Sequence, residues 1–265
     1  MSRLTDAAVA LDEARRQGAA IPQLTSTAEL PLSDAYAVQA AGIDLRVTRG
    51  EAVSGAKLGF TSKAKALQMG VDDVIIGVLT DAMEVADGGT VDLGHGVHPR
   101  VEPEVAFLLG SDVDPHAGPD AVAAAVTHVA AALEIIDSRY LDFRFSLADV
   151  VADNTSASHY VVGPWRPVGE VRDGLDLAAL EVALSIDGTQ VAAGSTADIL
   201  GDPWLALPAL GRMAAQYGQV LRAGAVLLAG AATAAVPLPH GSQVSASVAG
   251  LGTVGVSSAA VTGEQ

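Results

Sequence analysis

Two glutamates and a proline interrupt one of the most apolar runs of the chain, Val101-Glu102-Pro103-Glu104-Val105-Ala106-Phe107. The run is short and β-branched, so it reads as a strand, and residues two apart in a strand project to the same face. Glu102 and Glu104 are therefore expected side by side, with Val105 and Phe107 on the other face as long as the strand stays regular. Two like charges on one face are costly unless that face is solvated or a cation or basic side chain lies between them. Pro103 has no N–H to give a ladder, which points to an edge position or a bulge.

The rest of the chain limits what such a strand could serve. With 265 residues, one sizeable core or two small ones can be buried. Acids outnumber Lys and Arg 31 to 15, a net charge of −16 that repels phosphate backbones and anionic membranes. There is no cysteine, hence no disulfide, thiolate metal site or thiol nucleophile. Acids break up the apolar residues of MSRLTDAAVALDEARRQG, unlike a signal peptide, and stretches such as Ala223–Pro239 are too short and too rich in Gly and Ala to cross a bilayer. A cytoplasmic protein with no nucleic-acid or membrane partner is expected. Only three basic residues are lysines, Lys57, Lys63 and Lys65. A GC-rich codon bias explains the scarcity, yet Lys57 lies inside the apolar, Gly-flanked run SGAKLGF.

Helical spacing over residues 4–18, with Thr5 or Asp6 as N-cap and Gly18 as stop, predicts a first helix, and Ser33–Gly50 a second. Ala56–Phe60 reads as a strand ending in Thr61-Ser62, Lys63–Met69 as helical turns, and Val74–Leu79 as an apolar segment. From about Thr90 the chain turns to short β-branched or alternating runs bounded by Gly, Asp or Pro, with two helices between them, Pro119–Leu133 and Asp202–Tyr217. In the second helix Asp202 and Pro203 stand in N-cap and N1 order. The outline is an N-terminal helical layer on a β-rich body, one functional unit divided as 1–85 and 86–265.

A third acid, Glu134, ends the run VAALEIID, where a solvent-facing residue at a helix-to-strand junction is the plain alternative to a ligand. Three carboxylates around one ion suit Mg²⁺ or Mn²⁺ better than zinc. The clusters Asp137-Ser138-Arg139-Tyr140 and Asp153-Asn154-Thr155-Ser156 follow apolar runs, where sites usually lie, although both are also ordinary turn chemistry. His98 reads as a strand-entry residue rather than a ligand.

Several long segments, in order, resemble the 2-hydroxypentadienoate hydratase / 4-oxalocrotonate decarboxylase family of the fumarylacetoacetate hydrolase-like superfamily. They are AKLGFTSKAKALQMGV, IIGVLTD, HPRVEPEVAFLL, ALEIIDSRYLDFRFSLADVVADNTSASHY, and LRAGAVLLAGAATAAVPLPHG followed by GLGTVGV. The resemblance implies an α+β fold, with a mixed β-roll or barrel core of the fumarylacetoacetate hydrolase C-terminal type and an N-terminal helical region. It implies Mg²⁺ or Mn²⁺ on Glu102, Glu104 and Glu134, with Lys57 touching the substrate as proton donor or electrostatic partner. Asp81 matches an acid opposite that lysine, and Ser156 a serine at the pocket. Thr61, Ser62, Arg139, Asp153, Asn154 and His159 are the expected substrate-binding residues.

TSKAKALQMGV, IIDSRY, DFRFSLADVVADN and the Arg144/Phe145 pair resemble the decarboxylases more than the hydratases. Two positions depart from the pattern: His159 stands where decarboxylases tend to have arginine, and Ala229-Gly230 replaces Thr-Gly. The resemblance implies decarboxylation of a 2-oxo-3-enedioate, an anionic 2-oxo acid, with hydration of the dienoate as the alternative. It also implies a homo-oligomer that can associate with its companion hydratase or decarboxylase. Wider superfamily chemistry, either C–C hydrolysis or oxaloacetate decarboxylation, is a further alternative. A non-catalytic partner subunit is disfavoured by the intact glutamates and Lys57.

Overall fold

The computed structural model describes residues 2–62, 73–114, 116–118 and 120–260, so the helical turns expected at Lys63–Met69 lie outside the described residues. Helix α1 (Arg3–Gln17) starts one turn earlier than its sequence caps suggest. The Ser2 side chain accepts from the Thr5 N–H, and Gly18 ends the helix at a left-handed φ of 61°. Helix α2 (Leu32–Thr48) packs against α1.

Among the described residues fourteen strands follow: β1 (Val53–Gly59), β2 (Ile75–Thr80), β3 (Glu84–Val85), β4 (Thr90–Val91), β5 (Arg100–Leu109), β6 (Val126–Ile136), β7 (Ala157–Val162), β8 (Arg166–Pro167), β9 (Glu181–Ile186), β10 (Thr189–Ser195), β11 (Val226–Ala231), β12 (Val236–Pro237), β13 (Gln243–Val248) and β14 (Gly252–Ser258). Nine of them form a mixed sheet in the order β2-β1-β11-β5-β6-β7-β3, with β12 beside β5 and β8 beside β6. Five form a second sheet, β10-β9-β13-β14-β4. The main sheet curls into a half-barrel: the 3₁₀ turn Asp81–Met83 leads from β2 directly into β3, which pairs in parallel with β7 at the far edge. Strands β1 and β2 thus place the lysine-bearing part of residues 1–85 within the sheet, not only in the helical layer.

The two faces of the main sheet separate cleanly by parity. Leu58, Val101, Val105, Phe107, Leu133, Ile135 and Val161 turn to the large outer core shared with the helices and the second sheet. The inner face carries a smaller apolar group, including Leu79, Met83, Ala106, Ala132, Tyr160 and Leu228. Each large side chain buried in this way contributes about 1.5–3 kcal/mol. Pro103 is in a central strand, not an edge, and its missing donor is accommodated by a register shift in β11 between Leu228 and Ala231.

The expected helix over Pro119–Leu133 is mostly a strand. Only Ala121–Ala125 is helical, and from Val126 the chain enters β6, paired to β5 on one side and β7 on the other. The alanine-rich composition favours helix locally, but pairing on both edges and burial on both faces override it. Glu134 consequently sits well inside a strand, not at a helix-to-strand junction. The second expected helix forms, as a 3₁₀ turn at Pro203–Leu205 capped by Asp202, then Ala206–Tyr217.

Candidate active site

Glu102 and Glu104 lie two apart on β5, and Glu102 pairs in register with Glu134 on β6. All three are buried, and one oxygen from each falls within 4.8 Å of the others. Ligands on opposite sides of a hard cation bound at about 2.1–2.4 Å are separated by about 4–5 Å, so this spacing suits one ion. The donor set is entirely carboxylate oxygen. Glu104 Oε1 and Glu134 Oε1 accept no hydrogen bond of regular geometry among the described residues, although they are sealed from water. Buried acceptors of this kind are costly as they stand and are satisfied by a cation. The other Glu104 oxygen accepts from the Gly230 N–H at 2.8 Å. Gly230 has φ 114°, and a Cβ there would come within 2.1 Å of Thr61 Oγ1, so the Ala229-Gly230 turn fixes this glutamate only as glycine.

Lys57 projects from β1 onto the same inner face, with Nζ 2.9 Å from Glu134 Oε2 and donating to the Thr155 carbonyl at 3.4 Å. Burial alone would lower the lysine pKa. Glu134, Glu104 and Glu102 outweigh it, and the group is held above its ordinary range as an ammonium. In the absence of a cation, burial and the neighbouring carboxylates push Glu104 well above the usual carboxylate range, and burial raises Glu134 as well.

Lys57 and Glu102 open onto a cavity of about 530 Å³. Thr155 and Ser156 form part of its wall, and their hydroxyls, also buried, have no hydrogen-bond partner among the described residues. Asn154, Thr155 and Ser156 all have φ between 50° and 58°, an uncommon run of left-handed residues that brings Thr155 and Ser156 to the cavity wall. Arg100, Phe143, Arg144 and Phe145 also line it. Thr61 and Ser62 line a small adjoining pocket together with Glu102.

Other expected residues support the cavity from behind. Arg139 and Asp153 are an ion pair through Nε and Oδ1, with the guanidinium also donating to the Asp153 carbonyl at 2.6 Å. Burial pushes Asp153 up to about 6 against the pull of Arg139. The Asn154 amide makes paired hydrogen bonds with the Val78 N–H and carbonyl, both at 2.8 Å, and so pins the turn to β2.

Two expectations do not hold. Asp81 lies at the opposite end of β2 from the lysine, since Thr80 pairs with Val53 while Gly77 pairs with Lys57. Its exposed carboxylate caps the Ala52 and Ala82 N–H groups. His159 pairs with Ile135, one residue out of phase with the Glu134–Tyr160 pair, and therefore points away from the cavity. Burial, with Arg46 next, lowers its pKa to about 4, leaving a neutral ring near pH 7 that contacts Ser158 Oγ. That register places it on the face away from Lys57 and the glutamates. The sequence reading did not assign the cavity wall of Arg100 and Phe143. One available signal was parity: Arg100 is two residues before Glu102 and shares its face.

A curled half-barrel with a buried three-carboxylate site and a lysine beside it defines a metal-dependent enzyme of the fumarylacetoacetate hydrolase type. Residues 53–257 match the fumarylacetoacetate (FAA) hydrolase C-terminal family, and the chain belongs to that family. It is 48% identical over 255 residues to a 4-oxalocrotonate decarboxylase of Pseudomonas sp, covering 96% of each chain. It is 36% identical to a 2-keto-4-pentenoate hydratase of Paraburkholderia xenovorans (strain LB400), covering 94% of this chain and 92% of that one. The solved structure of 4-oxalocrotonate decarboxylase from Pseudomonas putida G7, complexed with magnesium and adipate, superimposes with a TM-score of 0.90 at 33% identity, over 97% of this chain and 98% of that one.

Proposed function

We propose that this chain catalyses metal-dependent decarboxylation of a 2-oxo-3-enedioate of the 4-oxalocrotonate (2-oxohex-3-enedioate) type, yielding 2-hydroxypenta-2,4-dienoate and CO₂. The observation that carries this reading is the buried Glu102–Glu104–Glu134 triad with the Lys57 ammonium beside it, with Glu102 and Lys57 lining a cavity large enough for such a substrate. Its relatives include both decarboxylases and hydratases, and the magnesium and the six-carbon dicarboxylate adipate bound by its structural relative support the dioate.

A Mg²⁺ or Mn²⁺ ion held by Glu102, Glu104 and Glu134 supplies, when bound, Lewis-acid stabilisation of negative charge on the substrate's C2 oxygen. The remaining work falls to the chain. The bond between C5 and the remote carboxylate breaks, and its electron pair shifts through the alkene to the C2 oxygen as CO₂ leaves. That oxygen then takes up one proton. Lys57 adds positive field where the charge develops and carries at Nζ a proton for that transfer. Thr155 and Ser156, whose hydroxyls have no hydrogen-bond partner among the described residues, offer them to the same substrate, and the apolar wall of Phe143 and Phe145 keeps water from the dienolate.

Hydration of the dienoate would need a water held near C4 and C5 and no second cationic pole. Arginines in the wall favour the decarboxylase reading. Purified protein with Mg²⁺ should release CO₂ from 2-oxohex-3-enedioate and leave 2-hydroxypenta-2,4-dienoate unhydrated, and the reverse pair of outcomes would sink the reading. The family resemblance also supports a cytoplasmic homo-oligomer that associates with its companion hydratase. Light scattering on the purified protein, alone and mixed with that hydratase, tests the assembly.

A further inference from the structure

We infer that Arg100, with Arg144 as its second arm, is the residue that selects a dicarboxylate over a monocarboxylate in this cavity, an inference that rests on the metal-site reading above. Most arginines in this acidic chain are neutralised, Arg139 by Asp153 and Arg46 by Glu51 among them. Arg100 and Arg144 line the cavity, and neither has a carboxylate partner among the described residues. Two uncompensated guanidinium groups facing one cavity make a receptor for a carboxylate, which their planar forks engage through paired, charge-assisted hydrogen bonds.

The position is set by the strand. Arg100 precedes Glu102 by two residues on β5, so their Cα atoms share a face and stand about 7 Å apart at the strand rise. A chain of six carbons spans a comparable length. With one end of a substrate at the glutamate triad, its far end reaches the guanidinium. The head group is also held in place, with Cζ 4.3 Å from the centroid of the Phe143 ring, and Phe143 packs edge-on against Phe145 at 5.4 Å between centroids. Arg144 follows Phe143 directly, so the same loop that steadies Arg100 supplies the second cation. This replaces His159, neutral and turned away, as the partner of the remote carboxylate.

The test is calorimetric titration of the Mg²⁺-loaded protein with 2-oxoadipate and with 2-oxohexanoate, two saturated 2-oxo acids of equal length that differ in the second carboxylate. The wild type should prefer 2-oxoadipate by about tenfold or more, the scale of one charge-assisted hydrogen bond. Arg100→Met and Arg144→Met should each weaken 2-oxoadipate and leave 2-oxohexanoate unchanged, which also reports an intact site. The double variant should lose the preference. A wild type that binds both acids equally, or a double variant that keeps the preference, overturns the assignment. If neither acid binds the wild type in a Mg²⁺-dependent way, the metal-site reading falls and the selector with it.

Discussion

Lys57 and Glu134 face each other across the inside of the half-barrel, Nζ to Oε2 2.9 Å, with the lysine almost fully buried and the glutamate completely so. Glu102 and Glu104 converge on the same ion-sized space as Glu134, and all three carboxylates act on the lysine to hold it as an ammonium. A charged lysine beside three convergent, buried carboxylate oxygens is the setting in which a divalent cation would be held.

Lys57→Met should therefore leave the fold and Mg²⁺ binding in place while lowering turnover by at least ~10²-fold, the lower scale for a positioned acid–base group. Steady-state kinetics together with metal titration check it. Turnover near the wild-type value would remove Lys57 from the mechanism.

Metal binding and protonation compete at Glu104. Without a cation its folded-state pKa lies well above the unfolded value, so the folded chain binds the extra proton between the two. Stability of the metal-free protein then falls as pH rises from the ordinary glutamate range through the folded pKa. Mg²⁺ reverses this: at one fixed Mg²⁺ concentration, about a hundred times the Kd at the high-pH end, the stability gain should grow with pH toward a few kcal/mol, a rise in Tm of roughly 5–10 °C. Thermal melts across pH, with and without Mg²⁺, measure it. A Mg²⁺ effect that shrinks as pH rises would contradict the linkage.

His159 runs in the opposite direction. Its pKa is lowered to about 4, so the unfolded chain binds the extra proton between about 4 and the ordinary 6.5, and stability is lost as pH falls through that window. The shift corresponds to about 3 kcal/mol at most. His159→Gln should flatten that part of the urea-midpoint profile and leave the pH–rate profile near neutrality without a histidine step. A wild-type rate that falls from pH 6 to 8 and loses this dependence in the variant would return His159 to the substrate.

Gly77 is the clearance that lets the Asn154–Ser156 turn approach Lys57. A Cβ there would lie 2.2 Å from Thr155 Oγ1 and 3.1 Å from Lys57 Cδ. Gly77→Ala should destabilise by about 1–3 kcal/mol and reduce turnover. Adding Thr155→Ala removes the clashing oxygen and should recover part of the stability, a coupling of about 0.5–3 kcal/mol in a double-mutant cycle. Strict additivity would show that the two residues do not meet as described.

The glutamate pair was legible in the sequence because parity in a strand is a local property: Glu102 and Glu104 share a face whatever the rest of the chain does. Glu134 was legible as a chemical candidate, but its setting was not. An alanine-rich stretch looks helical until β5 and β7 flank it, and that pairing comes from distant sequence. Asp81 and His159 were misplaced for a related reason. Proximity to IIGVLTD or SASHY in the sequence does not reveal that Thr80 pairs with Val53, or that His159 lies out of phase with Glu134. The wall of Phe143 and Arg144 is carried by a loop, which has no periodicity to read, and becomes visible only once the loop folds over Arg100.

The most direct test of the carboxylate site is CO₂ release from 2-oxohex-3-enedioate as a function of Mg²⁺ concentration, for wild type and for Glu104→Gln. The wild type should be inactive after chelation and recover saturably with Mg²⁺. Glu104→Gln, which keeps the side-chain shape but gives up one ionic ligand, should bind Mg²⁺ far more weakly and stay nearly inactive at concentrations that saturate the wild type. Full activity in chelator, or an unchanged Mg²⁺ dependence in Glu104→Gln, would contradict the account.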